Sequence, residues 1–256
     1  MLSKDSKNRN KVGIIIQARM GSKRLPGKIM KSIENKPILF YMINQIKKSK
    51  LYNEIIICTS KKKKNDVVRK FCKNNKIICF SGDENNLVKR YYLAAKKFNI
   101  DIIVRLTADC PLIDPVVIDL CINKFLSKKY DFVANTSPPV NSTYPDGMDV
   151  EVFSFKTLEQ VNLNCKSKND LEHVTPYIWR KKKKFKQLKL NLEKNFSHLR
   201  LTLDYQEDYT LIKKIITYFN KNKLDINLKN IIIFFKKNKN LLEINKIRNN
   251  KIANYL

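Results

Sequence analysis

Apolar residues in the first half of this chain form short unbroken runs separated by segments of helical spacing. Residues 12–16 (VGIII), 54–58 (EIIIC), 76–80 (KIICF), 101–106 (DIIVRL) and 131–134 (DFVA) are such runs. Runs of this length predict strands buried on both faces of a parallel sheet. Between them, Ile38, Leu39, Met42, Ile43 and Ile46 recur at helical steps, and Pro37 suits the first turn of that helix. The same spacing predicts a helix over 64–75, with Val67, Val68 and Phe71 inward. It predicts another over 84–98, with Leu87, Tyr91, Ala94, Ala95 and Phe98 on one side, and a third over 115–127. Strands that alternate with helices imply a layered α/β fold with right-handed crossovers. Ligands in such folds bind beyond the carboxyl ends of the strands. Loops 17–28, 81–84 and 107–114 lie there.

The pattern changes near residue 135. Residues 135–149 hold three prolines and little periodicity, which predicts a loop. Residues 148–153 (MDVEVF), 186–192 and 199–203 (LRLTL) read as strands. Residues 154–164 and 169–182 read as helices, the second capped by Asp170 and kinked if it runs through Pro176. Residues 207–220, 227–237 and 240–250 read as helical. The expected organisation is one domain over 11–256, α/β with a mostly parallel sheet flanked by helices. A smaller α+β lobe is expected over about 135–200, with 201–256 returning to the main body.

Composition sharpens the picture by exclusion. The chain has 256 residues, 43% of them hydrophobic, which suits a packed core. No stretch approaches the ~18 consecutive apolar residues of a membrane span. The first residues, MLSKDSKNRNK, lack a signal peptide's apolar core, so a cytoplasmic protein without membrane insertion is expected. The net charge of +29 invites a nucleic-acid reading. The excess is mostly Lys, however, and travels with Ile and Asn, as an AT-rich genome would supply. The runs 61–64 and 181–184 therefore read as solvated faces, and no specific nucleic-acid partner is expected. The six cysteines (58, 72, 79, 110, 121, 165) form no CxxC pair, and His173 and His198 are the only histidines. Free buried thiols are expected in place of a zinc site.

Three segments carry candidate chemistry. The first is QARMGSKRLPGK, residues 17–28, directly after a strand. Gly21 and Gly27 allow tight turns that present N–H groups to an anion, and Arg19, Lys23, Arg24 and Lys28 surround them. This suits a triphosphate, although an ordinary basic surface loop has the same composition. The second is RLTADCPLID, residues 105–114. Asp109 follows a strand end, and one carboxylate plus phosphate oxygens and waters is how Mg²⁺ is usually held. Asp114 either joins it or caps the helix from Pro115. The third, LRLTLD, ends at Asp204. That residue can share the metal with Asp109 if the strands are adjacent, or cap the helix that follows.

Taken in order, QARMGSKRLPGK, SGDENNLVKRYYLAA, RLTADCPLIDP, YPDGMDVEVFS, EHVTPYIW and LRLTLDYQEDY resemble the spore-coat-polysaccharide type of cytidylyltransferase-like proteins. That family is related to acylneuraminate and 3-deoxy-manno-octulosonate cytidylyltransferases, and the resemblance covers about residues 11–220. It implies a Rossmann-like nucleotidyltransferase fold of the glycosyltransferase A type, CTP as donor, Mg²⁺ as cofactor, and a homodimer. It implies a nucleotide side of Gln17, Ala18, Arg19, Gly21, Ser22, Lys28, Gly82, Asp83, Arg90 and Thr107. Asp109 and Asp204 would hold the metal, with Arg19, Lys28 and Asp109 catalytic. Tyr144, Asp146, Asp149, Glu172 and His173 would line the acceptor side. The implied reaction is attack by an acceptor oxygen on the α-phosphorus of CTP, with pyrophosphate leaving in line. The acceptor, a sugar acid or a phosphorylated small molecule, does not carry over. His173 is a candidate base, or a helix residue bonded within the lobe. The same fold using another nucleotide, and a basic nucleic-acid-binding protein, are the alternatives.

Overall fold

A computed structural model describes residues 10–127 and 129–248. The sequence expectations at residues 1–9 and 249–256 lie outside the described residues. The main sheet contains β1 (Val12–Gln17), β4 (Glu54–Ser60), β5 (Ile78–Gly82), β6 (Ile102–Thr107), β7 (Phe132–Ala134), β8 (Glu151–Ser154) and β9 (Gln187–Lys189). A small hairpin, β2 (Ser32–Ile33) and β3 (Lys36–Pro37), follows the first loop. The helices are α1 (Ile38–Ile46), α2 (Asp66–Asn74), α3 (Leu87–Lys97), α4 (Pro115–Leu126), α5 (Phe155–Asn164), α6 (Lys168–His173), α7 (Pro176–Arg180), α8 (Gln206–Lys221) and α9 (Leu228–Lys237).

The strand order is β5-β4-β1-β6-β8-β7-β9. Strands β5, β4, β1 and β6 run parallel, and β8 is antiparallel to both β6 and β7. The chain leaves β1 toward β4 and later returns to pair β6 on the other side. The carboxyl ends of β1 and β6, where Gln17 lies opposite Thr107, therefore form a switch point at which a crevice opens. Side chains alternate between two cores. Ile14 and Ile16 join one with α1, α4, α8 and α9, while Ile15 joins the other with α3, α5 and α7. Tyr91 is the core member of its tyrosine pair, and its hydroxyl donates to Ile15 O at 3.1 Å.

Several expectations change. Residues 135–200, expected as a smaller lobe within the domain, add strands to the main sheet. Strands β8 and β9 extend the main sheet, and Leu158, Val161 and Ile178 pack in the same core as Ile15 and Ile56. The predicted 169–182 helix is two helices. Val174 turns at φ 68° between them, Pro176 opens the second, and Ser167 rather than Asp170 caps the first. Val67 faces solvent, so α2 buries Val68, Phe71 and Cys72. Residues 239–248 form 3₁₀ turns instead of an α-helix. Asp114 is the cap of α4, accepting from Val116 N at 2.8 Å. The expected strand 199–203 is an extended segment with one bridge, Asp146 to Arg200.

That bridge explains Gly147. The residue sits at φ +101°, and a Cβ there would lie 2.4 Å from the Leu201 carbonyl carbon. Only glycine lets the 144–149 loop approach so closely. Gly147→Ala is expected to destabilise the fold by roughly 2–3 kcal/mol in urea unfolding. A loss below about 0.5 kcal/mol, the range of an unremarkable surface change, would mean the loop is not held against 200–202.

Candidate active site

The crevice at the switch point is a cleft of about 400 Å³ lined by Gln17, Arg19, Gly21, Ser22, Lys23, Arg24, Lys28, Thr107, Asp109 and Glu172, among others. A larger groove, about 590 Å³, runs along the outer face of α8 from Gln206 to Lys221. It is lined by lysines, tyrosines and threonines without a carboxylate. The carboxylates and cations gather in the smaller cleft.

The 17–28 loop is built by its own polar groups. Ala18 N donates to Cys58 O at 3.0 Å, and Met20 N to Asn65 Oδ1 at 2.9 Å. Ser22 Oγ accepts from Leu25 N at 3.2 Å. Gly27, at φ 67°, opens the 3₁₀ turn Lys28–Met30. This turn aims Lys28 inward, where its ammonium donates to Asp109 Oδ2 at 2.6 Å and to Asp204 Oδ1 at 2.9 Å. Arg24 meets the same Asp204 Oδ1 at 2.6 Å. The two aspartates thus converge on one cationic point.

Burial opposes the charged form of Lys28, but both carboxylates outweigh it and hold its pKa above the ordinary value. Burial likewise pushes Asp109 up. The Lys28 charge and hydrogen bonds outweigh this and hold the carboxyl below its usual range.

Of the two readings of Asp204, the helix cap is taken by another residue. The carboxylate that takes the N–H groups of Asp204 and Tyr205, each at 2.9 Å, belongs to Asp208. Asp208 does the capping of α8, so the Asp204 carboxylate faces the cleft. It arrives beside Asp109 through the backbone: Leu203 N donates to Asp109 O at 2.8 Å.

Asp146 and Asp149 stand near Asp109. Protein mass around Asp146 and the charge of Asp149 push its carboxyl up to about 7, against Arg200, although half its side chain reaches solvent. Burial also raises Asp149, with the Gly147 N–H opposing. Glu172 lines the cleft and lies 3.7 Å from Arg19. Burial, then the Arg105 charge, hold His173 below its ordinary pKa.

Other expected site residues sit elsewhere. Tyr144 is 3% exposed and packs in the core, so it does not line an acceptor site. Ala18 is buried, and its N–H is committed to Cys58. Asp83 faces solvent and accepts from Asn85 N and Asn86 N, a turn-forming role. Arg90 is fully buried behind Gly82, where a Cβ would come within 2.9 Å of its Cγ. Its three guanidinium nitrogens have no hydrogen-bond partner. Gly82 serves that packing and not the cleft.

Sequence reasoning missed other members. Arg105 pairs with buried Glu151, which also accepts from Ser137 and, at 2.8 Å, from Thr175. Arg105 reaches Gln17 Oε1 at 3.2 Å as well. This chain ties the nucleotide-side strand end to the 135–149 loop and to the α6–α7 turn. Arg200 was missed too, although the alternation in LRLTLD places it on the same side as Asp204. The lysine runs 61–64 and 181–184 are exposed as expected, yet Lys64 reaches Glu84 at 3.4 Å beside Gly21.

The cytidylyltransferase family model matches residues 13–249. The chain belongs to the cytidylyltransferase family. This is a family of nucleotidyltransferase enzymes, the expected class. A solved cytidylyltransferase from Leptospira borgpetersenii is 38% identical, with TM-score 0.85, covering 91% of this chain and 97% of that one. The spore coat polysaccharide biosynthesis protein SpsF of Bacillus subtilis is 28% identical over 80% of this chain and 86% of its own. A CMP:2-keto-3-deoxy-manno-octonic acid synthetase solved with CTP shares the fold at TM-score 0.62 and 16% identity, covering 82% of this chain and 99% of that one. Among the described residues of this cytidylyltransferase, no helix is long and apolar enough to cross a membrane.

The Lys28 pair gives a pH signature. Asp109 sits below its ordinary value, so its contribution to stability is fully present above about pH 4 and is lost as pH falls further. Lys28 sits above its ordinary value, so its contribution persists until pH exceeds about 10. Lys28→Met is expected to cost about 1–3 kcal/mol at pH 7. The difference from wild type should stay flat up to roughly pH 9 and shrink toward pH 3. Chemical denaturation across pH measures this, and a difference undiminished at pH 3 would separate Lys28 from the carboxylates.

Proposed function

We propose that this cytidylyltransferase transfers CMP from CTP to an oxygen of a sugar acid or phosphorylated small molecule, releasing pyrophosphate, in cell-surface glycan synthesis. The observation that carries this reading is the convergence of Asp109 Oδ2 and Asp204 Oδ1 on Lys28 Nζ, at the mouth of a cation-lined loop. The Lys28 ammonium is a stand-in for a cation between two carboxylates. Two carboxylates with substrate oxygens and waters suit Mg²⁺, so Asp109 and Asp204 fit that ion. Bound there, Mg²⁺ would neutralise phosphate charge and polarise the reacting phosphoryl group.

The chain's own residues account for the rest. Arg19, Lys23, Arg24 and Lys28 present positive charge toward a triphosphate from one side of the cleft. Lys28 and Arg24 are held by the aspartates, so each is within reach of an anion that competes for it. Positioning plus electrostatics is what such a transfer demands. The acceptor approaches from the side of Asp146, Asp149 and Glu172. His173, neutral at pH 7 because its pKa is depressed, can take a proton from an acceptor hydroxyl. A phosphate acceptor needs no base.

Pyrophosphate release with each of the four NTPs, Mg²⁺ and an acceptor panel tests the reading. CTP is expected to support release, and Asp109→Asn to lower kcat/KM by at least about 100-fold, ~2.7 kcal/mol of transition-state stabilisation. Release by Asp109→Asn at the wild-type rate would remove Asp109 from the site. No release with any nucleotide and any acceptor would overturn the proposed reaction.

A further inference from the structure

Behind the carboxylates that face the cleft lies one buried guanidinium that touches several acids at once. Arg200 is 5% exposed. Its Nε and Nη2 fork onto Asp208 at 2.9 and 3.1 Å, the bidentate arrangement that fixes a guanidinium in its plane. The remaining reach is spent on the site: Nη1 donates to Asp146 Oδ2 at 2.6 Å, and Nη2 lies 3.4 Å from Asp204 Oδ2. Asp204 is therefore held from both oxygens. Oδ2 turns to Arg200, and Oδ1 turns to Lys28 and Arg24 in the cleft.

Asp208 is itself immobilised. Two backbone N–H groups donate to its Oδ2 at 2.9 Å, and Asn245 Nδ2 donates to its Oδ1 at 2.9 Å. The same Asn245 amide donates to Arg200 O at 3.0 Å, so one side chain bridges both halves of the ion pair. Asn245 is 3% exposed and comes from the C-terminal turns. Those turns grip the start of α8 a second time. Arg248 lies 4.2 Å over the Tyr205 ring and reaches Glu207 Oε1 at 2.8 Å.

We propose that Arg200 is the positioning residue of the transfer site, setting the orientation of the Asp204 carboxylate, and that Asn245 latches Arg200 from the C-terminal segment. The proposal rests on the reading of Asp204 as a ligand of the divalent cation. Its physical basis is that a carboxylate free to rotate presents a cation with a poorly defined oxygen. Partners behind a metal ligand usually carry about 10–100-fold in metal affinity. A neutral amide suits position 245 because it can donate to a carbonyl and a carboxylate together. A carboxylate there would add a negative charge beside Asp208.

The test is Mn²⁺ binding to the full chain in the presence of CTP, read by electron paramagnetic resonance of free Mn²⁺. It is run at a temperature where circular dichroism shows each variant folded. Arg200→Met is expected to weaken Mn²⁺ binding by about 10–100-fold, and Arg200→Lys to restore part of it. Asn245→Ala, which keeps the ion pair, is expected to weaken it by about threefold or more, less than a direct contact would. It should lower kcat with little change in KM for CTP. Ile231→Val, a deletion in the packed α9 face, is expected to lose stability and keep wild-type Mn²⁺ affinity. Should Arg200→Met fail to fold, Arg200→Lys takes its place, and wild-type Mn²⁺ affinity in it would overturn the guanidinium fork as what positions Asp204. Folded Asn245→Ala with wild-type Mn²⁺ affinity would overturn the latch. Folded Arg200→Met with wild-type affinity would overturn Arg200 as positioning residue. Asp204→Asn separates the two levels: if it binds Mn²⁺ as wild type does, the metal reading fails, and if it alone loses Mn²⁺, only the positioning proposal fails.

Discussion

The Lys28 ammonium between Asp109 and Asp204 is the contact on which the rest of the site depends. Each of its partners comes from a different part of the chain. Lys28 ends the loop after β1, Asp109 follows β6, and Asp204 precedes α8. An ion pair that joins three such segments is formed only when the sheet order is right, because the β1–β6 switch brings the first two together. The third arrives by backbone contact, with Leu203 N on Asp109 O and the Gly147 turn pressed against Leu201. Charge of both signs is thereby gathered at a strand end where water alone would not hold it.

The cleft gathers charge of both signs as a result. Arg19, Lys23, Arg24 and Lys28 line it together with Asp109 and Glu172, and Asp146 and Asp149 stand near Asp109. Fixed charge in a narrow crevice focuses the field on whatever enters it. Arg200 lies behind these carboxylates. It meets Asp146, Asp204 and Asp208 together, and their charges keep it protonated despite burial. The Arg105–Glu151 pair plays the corresponding part on the other flank, joining Gln17 to Ser137 and Thr175.

Much of this was legible in the residues. The apolar runs and helical spacings located the parallel strands and their helices. The motifs at 17–28 and 105–114 marked the two loops that meet at the switch point. What periodicity could not convey was long-range pairing. Residues 199–203 alternate like a strand, yet their neighbours are the 107–110 loop and the 144–149 loop, so they extend without joining the sheet. Segment 135–200 reads as a smaller lobe within the domain because the pattern changes near residue 135, and β8 and β9 find their partners in the main sheet. Tyr144 and Arg90 stand in motif positions and are buried, since a motif conveys chain order and not which way a side chain turns. Asp204 stands where the residues suggest a cap for α8. The third-position carboxylate reaches back to the exposed N–H groups, which leaves Asp204 for the cleft.

The central claim is that Asp109 and Asp204 form one cation site in which Lys28 now stands, and that a nucleotide triphosphate draws Lys28 out of it. A crystal structure with Mn²⁺ and a non-hydrolysable CTP analogue tests this most directly. The account predicts an anomalous Mn²⁺ peak in contact with both carboxylates, and the Lys28 ammonium turned onto a phosphate oxygen. A Mn²⁺ peak touching neither aspartate, with the Lys28 ion pairs intact beside bound nucleotide, would contradict it.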